Sequence, residues 1–127
     1  MDSKDRVRAR VLADRAAMAP EELRLAGTAI ARRVLDVWDA VPATGGRGPA
    51  AARVASYLAA GSEPATRKLI DALRERGVDV VVPVVLAGGV LDWARYEGPA
   101  ATAPNRFGID EPTGARLGAG AVATADM

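Results

Sequence analysis

Residues 77–96 read Gly77-Val78-Asp79-Val80-Val81-Val82-Pro83-Val84-Val85-Leu86-Ala87-Gly88-Gly89-Val90-Leu91-Asp92-Trp93-Ala94-Arg95-Tyr96. Val78 to Val85 is apolar and β-branched almost throughout. That is the composition of a strand covered on both faces, not of one alternating between core and water. Gly88-Gly89 supplies a turn, and Val90 to Tyr96 supplies an antiparallel hairpin partner. Pro83 has no amide hydrogen to give to a ladder, so it predicts a strand end or a bulge.

The pattern extends upstream. Pro64 to Arg76 reads as a helix with Leu69, Ile70 and Leu73 on its buried face and Gly77 to stop it. Gly61-Ser62-Glu63-Pro64 is a turn before it. Ala51 to Leu58 reads as a buried strand with Val54 and Tyr57 near its end. Strand, helix and strand in that order predict a parallel, right-handed unit. Ser3 can cap a first helix running to about Ala17, with Val7, Val11 and Leu12 as a short apolar stripe. Pro20 with Glu21-Glu22 opens a second helix, where Leu23, Ala26, Ile30, Val34 and Trp38 mark a core face. Pro42 to Pro49, with Gly45, Gly46 and Gly48, reads as a loop.

Together these elements predict one α/β domain over residues 1–127, a three-layer sheet with helices on both faces. From Gly98 onward the regular signal fades, and Asp126-Met127 falls where a further strand could begin. Two or three strands leave long open edges. The domain is therefore expected to be truncated, with its C-terminal strands missing.

The chain of 127 residues has no Cys and no His. That excludes a disulfide scaffold, a thiol nucleophile, a Ser-His-Asp triad and the usual zinc sites. Proton transfer must fall to carboxylates, Lys or Tyr. Net charge is +1, and the aromatic residues are two Trp, two Tyr and one Phe. Neither the charge nor the supply of stacking platforms fits a general nucleic-acid binder. The longest apolar run, Val80 to Val90, is broken by Pro83 and Gly88-Gly89 and is too short to cross a bilayer. The N-terminus leads into no apolar signal core. The expectation is a cytoplasmic protein with neither nucleic acid nor membrane as partner. Its oligomeric state is not set by the sequence.

Four groups are candidates for chemistry. Lys4 and Arg8 lie four apart, hence on one helix face, and could hold nucleotide phosphates or simply form a solvated basic face. Glu63 follows the first strand, at the end of an α/β sheet where ligands bind. It could hold a polar substrate, or with Thr66 merely serve the helix start. Tyr57 and Leu58 could form a pocket wall or pack into the core. Arg116-Leu117-Gly118-Ala119-Gly120 looks like a phosphate loop, but it follows no predicted strand and opens no clear helix, as that mechanism requires. Gly45-Gly46-Arg47-Gly48 precedes a strand and fails the same test.

Six segments, in order, resemble the 5-formyltetrahydrofolate cyclo-ligase (methenyltetrahydrofolate synthetase) family. They are Lys4-x-x-x-Arg8 with Arg15, Ala55-Ser56-Tyr57-Leu58 followed by Glu63-x-x-Thr66, Val82-Pro83-Val84-Val85, Leu91-Asp92-Trp93, and Phe107-Gly108-Ile109-Asp110-Glu111-Pro112. The resemblance implies an enzyme that uses ATP and Mg²⁺ to close 5-formyltetrahydrofolate into 5,10-methenyltetrahydrofolate. It implies that Lys4 and Arg8 contact ATP phosphates and that Leu58 lines the folate pocket. Glu63 would bind folate near its reacting nitrogens, and Tyr57 would be a further pocket residue. Phe107 to Pro112 would shape the cleft. The family also carries a later strand and an Arg-Leu-Gly-x-Gly-x-Gly-Tyr-Tyr-Asp loop that cradles the phosphates; Arg116 to Gly120 only imitates its first residues. The chain alone is therefore expected to turn over little or no substrate. A non-catalytic folate- or nucleotide-binding module, and an interaction domain completed by another chain, are the alternatives.

Overall fold

A computed structural model describes residues 2–40 and 52–127. The valine-rich run forms the central strand β2, Asp79–Val85. Strand β1, Arg53–Ala55, pairs with it in parallel, from Arg53 opposite Asp79 to Ala55 opposite Val81. Strand β3, Leu91–Arg95, pairs antiparallel on the other side, from Val81 opposite Arg95 to Val85 opposite Leu91. Helix α3, Arg67–Glu75, connects the parallel strands. The parallel strand–helix–strand unit and the following hairpin are those the sequence predicts, and the protein is α/β.

One face of the sheet carries the core. Val54, Val80, Val82 and Tyr96 pack with Leu69, Ile70 and Leu73 of α3 and with Ala31 of α2, Pro20–Ala40. Val34, Leu35 and Trp38 of α2 close over them. Ile70 and Leu73 are completely buried. Each such side chain contributes about 1.5–3 kcal/mol of apolar burial. Gly27 lets α2 approach the chain before α3: a Cβ there would lie 2.8 Å from the Ala65 Cβ.

Side chains alternate across a strand, so Asp79, Val81 and Pro83 face the other way. Asp79 takes Arg53 Nε at 2.8 Å and Arg95 Nε at 2.6 Å. Burial pushes its carboxyl up, but the hydrogen bonds from Arg95 and Arg53 outweigh this and hold it below the usual carboxylate range. Arg53 also donates to Thr124 Oγ1 at 2.8 Å. Thr124 ends the 3₁₀-helix Ala119–Thr124, which contributes buried Ala121. Among the described residues, the element that covers this face is thus a 3₁₀-helix and not an α-helix. The C-terminal segment also lies along both sheet edges. Leu117 donates to the Trp93 carbonyl outside β3, while Asp126 donates to Arg53 and Ala55 donates to Met127 outside β1.

Several boundaries differ from expectation, each for a local reason. Of the predicted strand Ala51–Leu58, only Arg53–Ala55 joins the ladder; Ala51 lies outside the described residues, as does the predicted loop Pro42–Pro49. The strand ends early because the Thr66 side chain, not a neighbouring strand, bonds the Tyr57 carbonyl and the Ala59 amide. The helix predicted from Pro64 begins at Arg67, since Pro64 accepts from the Tyr57 hydroxyl within that loop. Pro83 makes neither a strand end nor a bulge, because it stays in register opposite Trp93. Its nitrogen faces the β1 side one rung past the Ser56–Val81 bond, so its missing donor falls where the parallel ladder stops.

Past Gly98 the chain does form strands. β4, Thr102–Pro104, pairs with β5, Asp110–Pro112, across a turn held by Asn105 Oδ1, which accepts from the Phe107 and Ile109 amides. Strands of three residues, each with a proline, carry no readable alternation. Helix α1, Ser3–Ala16, is capped by the Asp2 carboxylate and not by Ser3, and it has no buried residue. Its stripe of Val7, Val11 and Leu12 is exposed.

Candidate active site at the carboxyl end of the sheet

The parallel strands β1 and β2 end at different heights. The β1 pairing stops where the Ser56 amide donates to the Val81 carbonyl at 3.0 Å. β2 runs on to Val85, so its β1-side edge stands clear. Pro83 leaves no amide orphaned there, and the Val85 amide donates to Glu111 Oε2 at 2.8 Å. This is the end of an α/β sheet at which ligands bind.

The loop from β1 to α3 is held by its own side chains. Glu63 Oε1 accepts from the Ala60 amide at 2.8 Å, and the Glu63 amide donates to the Ala60 carbonyl at 3.1 Å. Its other carboxylate oxygen has no partner among the described residues. Glu63 is half-buried and lies four residues before α3, so it does not serve as a helix cap. The Tyr57 hydroxyl donates to the Pro64 carbonyl at 3.0 Å. Burial pushes that hydroxyl's pKa up, the Glu63 charge pushes the same way, and Arg15 opposes both. Tyr57 therefore remains a neutral donor near neutral pH, with a carboxylate and a guanidinium in electrostatic reach.

Arg15 is the one residue of α1 that is not solvent-exposed. Its Nε donates to the Ser62 carbonyl at 2.9 Å, next to Glu63. With about 100° per residue, Lys4, Arg8 and Arg15 fall within roughly 40° of one another around the helix. Lys4 and Arg8 thus share the α1 face that meets the Glu63 turn, although both are exposed. Arg8 lies 3.8 Å from the Asp5 carboxylate. Lys4 is roughly 16 Å from Arg15 along the helix axis. Leu58 points into the core cluster and forms the floor beneath the loop, while Tyr57 stays partly exposed above it.

The sequence alone did not single out the groups that close the other side. Arg67, at the start of α3, pairs with Asp110 at 3.0 Å, and Glu111 caps Val85. Thr66 then ties the α3 start to Tyr57. The one signal for them is that Asp110 and Glu111 belong to the segment Phe107–Pro112, which the family resemblance implies shapes the cleft. Arg116 to Gly120 serves the fold: Arg116 bridges Ala94, and Gly118 donates to Asp92 Oδ1 at 2.8 Å. A cavity of about 420 Å³ lies at the opposite, amino end of β2, lined by Arg74, Asp79, Arg95 and Tyr96 among others. There Asp79 is held by two arginines and Arg74 is stacked 5.3 Å from the Tyr96 ring centre. Among the described residues, no three acidic side chains converge on one point.

A carboxylate, a phenol and a cationic helix face thus meet at the carboxyl end of the parallel strands. The 5-formyltetrahydrofolate cyclo-ligase family model matches residues 1–127, and the chain belongs to that family, which is one of enzymes. A 5-formyltetrahydrofolate cyclo-ligase of Mycolicibacterium smegmatis (strain ATCC 700084 / mc(2)155) is 35% identical over 79 residues, covering 58% of this chain and 40% of that protein. The fold matches the NMR structure of Aquifex aeolicus 5,10-methenyltetrahydrofolate synthetase with a TM-score of 0.62 and 24% identity. That match covers 90% of this chain and 54% of the solved one, so the chain spans about half the length of this relative. No described helix is long and apolar enough to cross a membrane.

Proposed function

We propose that this chain carries the folate-binding side and part of the phosphate-binding side of an ATP-dependent 5-formyltetrahydrofolate cyclo-ligase. The observation that carries the reading is the grouping of Glu63, Tyr57 and Arg15 at the carboxyl end of the sheet, in a chain matched by the family over its whole length.

In this reaction the formyl oxygen attacks the γ-phosphorus of ATP. An O–P bond forms, and the bond to the departing ADP oxygen breaks with its electron pair. N10 of the folate then attacks the activated formyl carbon and gives up its proton. The C–O bond to phosphate breaks and inorganic phosphate leaves. Such chemistry needs charge neutralisation and placement more than a protein nucleophile, which suits a chain without His or Cys. Glu63 has a carboxylate oxygen to accept a folate N–H near the reacting nitrogens. Tyr57 and the floor at Leu58 bound the pocket. Lys4 and Arg8 neutralise phosphate charge. Mg²⁺ belongs to this reading as part of the nucleotide complex, since it is commonly held by one or two carboxylates together with substrate phosphates. A cytoplasmic setting fits a cysteine-free chain.

The test adds ATP and Mg²⁺ to the purified chain with 5-formyltetrahydrofolate and follows the absorbance of methenyltetrahydrofolate, beside a direct folate-binding titration. Turnover or folate binding that Glu63→Gln removes supports the reading. Binding without turnover makes the chain a binding module of the same site. Failure to bind folate at all contradicts it.

A further inference from the structure

α1 contacts the body of the protein through an arginine and not through its apolar stripe. Val7, Val11 and Leu12 are exposed, whereas Arg15 is half-buried against the Ser62 carbonyl. The bond uses Nε, the inner nitrogen of the guanidinium. The two Nη groups have no hydrogen-bond or ion-pair partner among the described residues. A guanidinium fixed at Nε presents its Nη donors in a set plane, the arrangement suited to bidentate contact with phosphate oxygens. Arg15 also closes the row begun by Lys4 and Arg8 on one face of α1, at the end beside Glu63 and Tyr57.

We infer that Arg15 is a third phosphate-binding cation of this site and holds the end of the triphosphate nearest Glu63. The inference rests on the function proposed above. The phosphoryl group that moves must meet the folate held at Glu63, so the terminal phosphate belongs at the Arg15 end of the row and the remaining phosphates toward Arg8 and Lys4. The Ser62 carbonyl orients the fork before any ligand arrives, which lowers the ordering cost of binding.

Calorimetric titration of the full chain with tripolyphosphate, with neither adenine nor folate present, isolates this role. Arg15→Ala is expected to weaken tripolyphosphate about tenfold to a hundredfold, as for loss of a charge-assisted pair. Arg15→Lys keeps the charge but loses the fork, and should fall between the two. Arg10→Ala removes the same charge from another face of α1 and should change affinity by less than about twofold. Because Arg15 also docks α1, the double variant Lys4→Ala/Arg15→Ala separates contact from docking: its loss should approach the product of the single losses. No further loss from Lys4→Ala in the Arg15→Ala background would reduce Arg15 to a docking residue and overturn the inference. So would equal effects of Arg10→Ala and Arg15→Ala, or no tripolyphosphate binding by the wild-type chain. A parallel titration with 5-formyltetrahydrofolate decides separately whether the underlying function stands.

Discussion

Helices α1 and α3 meet the same loop and use opposite chemistry to do so. α3 enters it from the core, with Leu69, Ile70 and Leu73 buried against β2 and its first residue Arg67 turned to Asp110. α1 buries no residue and touches the loop through Arg15. A helix held by apolar burial is fixed by packing and is costly to alter. A helix held by one guanidinium, with a row of cations on that side, can be altered at little cost to the fold. The contrast assigns stability to α3 and, under the proposed function, ligand contact to α1.

The largest expected effect breaks the contrast if it fails. Leu73→Ala should destabilise the protein by about 2–5 kcal/mol, because Leu73 is completely buried and its loss leaves a cavity. Val11→Ala on α1 should stay within about 0.5 kcal/mol, as for an exposed position. Similar losses in denaturant unfolding would show that α1 is part of the core. Next comes Gly27→Ala, whose methyl would press on Ala65 at the base of the Glu63 loop. It should cost about 1–3 kcal/mol through overpacking, and wild-type stability would place α2 farther from that loop.

Asp79 sharpens the contrast from the other face. Its carboxyl titrates lower in the folded protein than in the unfolded chain. The stability it adds is therefore full above the unfolded value of about 3.9 and is lost as pH falls through the lower folded value. Asp79→Asn should cost about 1–2 kcal/mol at neutral pH, with the half-exposed Arg95 limiting the figure, and should flatten the acid limb of the stability profile. An unchanged acid limb would show that the arginines do not stabilise the charged form. The smallest effect on stability belongs to Lys4→Ala, which should leave unfolding unchanged while weakening ATP about threefold to tenfold and sparing folate. A larger loss for folate than for ATP would move Lys4 to the folate side.

Legibility in the sequence follows the same division. Residues 77–96 announced their structure because a β-branched run beside a Gly-Gly turn has few other readings, and the parallel pairing of β1 with β2 followed from the helix between them. The face of α2 was equally plain, with Trp38 and Val34 packed where their spacing put them. The Val7, Val11 and Leu12 stripe could not be resolved, because helical spacing looks the same against a core and against solvent. Pro83 misled, since a proline within a strand is harmless once the neighbouring strand has ended. At the candidate site, Glu63, Tyr57 and the shared face of Lys4 and Arg8 came from spacing and family resemblance. The Arg15–Ser62 and Arg67–Asp110 contacts join residues 47 and 43 positions apart, and no local pattern encodes them. The Val85 cap by Glu111 depends on where β1 stops, which the sequence placed three residues too late.

The central claim is that the loop between β1 and α3 binds folate through Glu63. Isothermal titration of 5-formyltetrahydrofolate into the wild-type chain and into Glu63→Gln tests it most directly. The account predicts that the wild-type chain binds and that Glu63→Gln binds about tenfold to a hundredfold more weakly, the worth of a charged hydrogen bond, with the thermal unfolding midpoint unchanged. Equal affinities for the two proteins, or no binding by the wild-type chain, would contradict it.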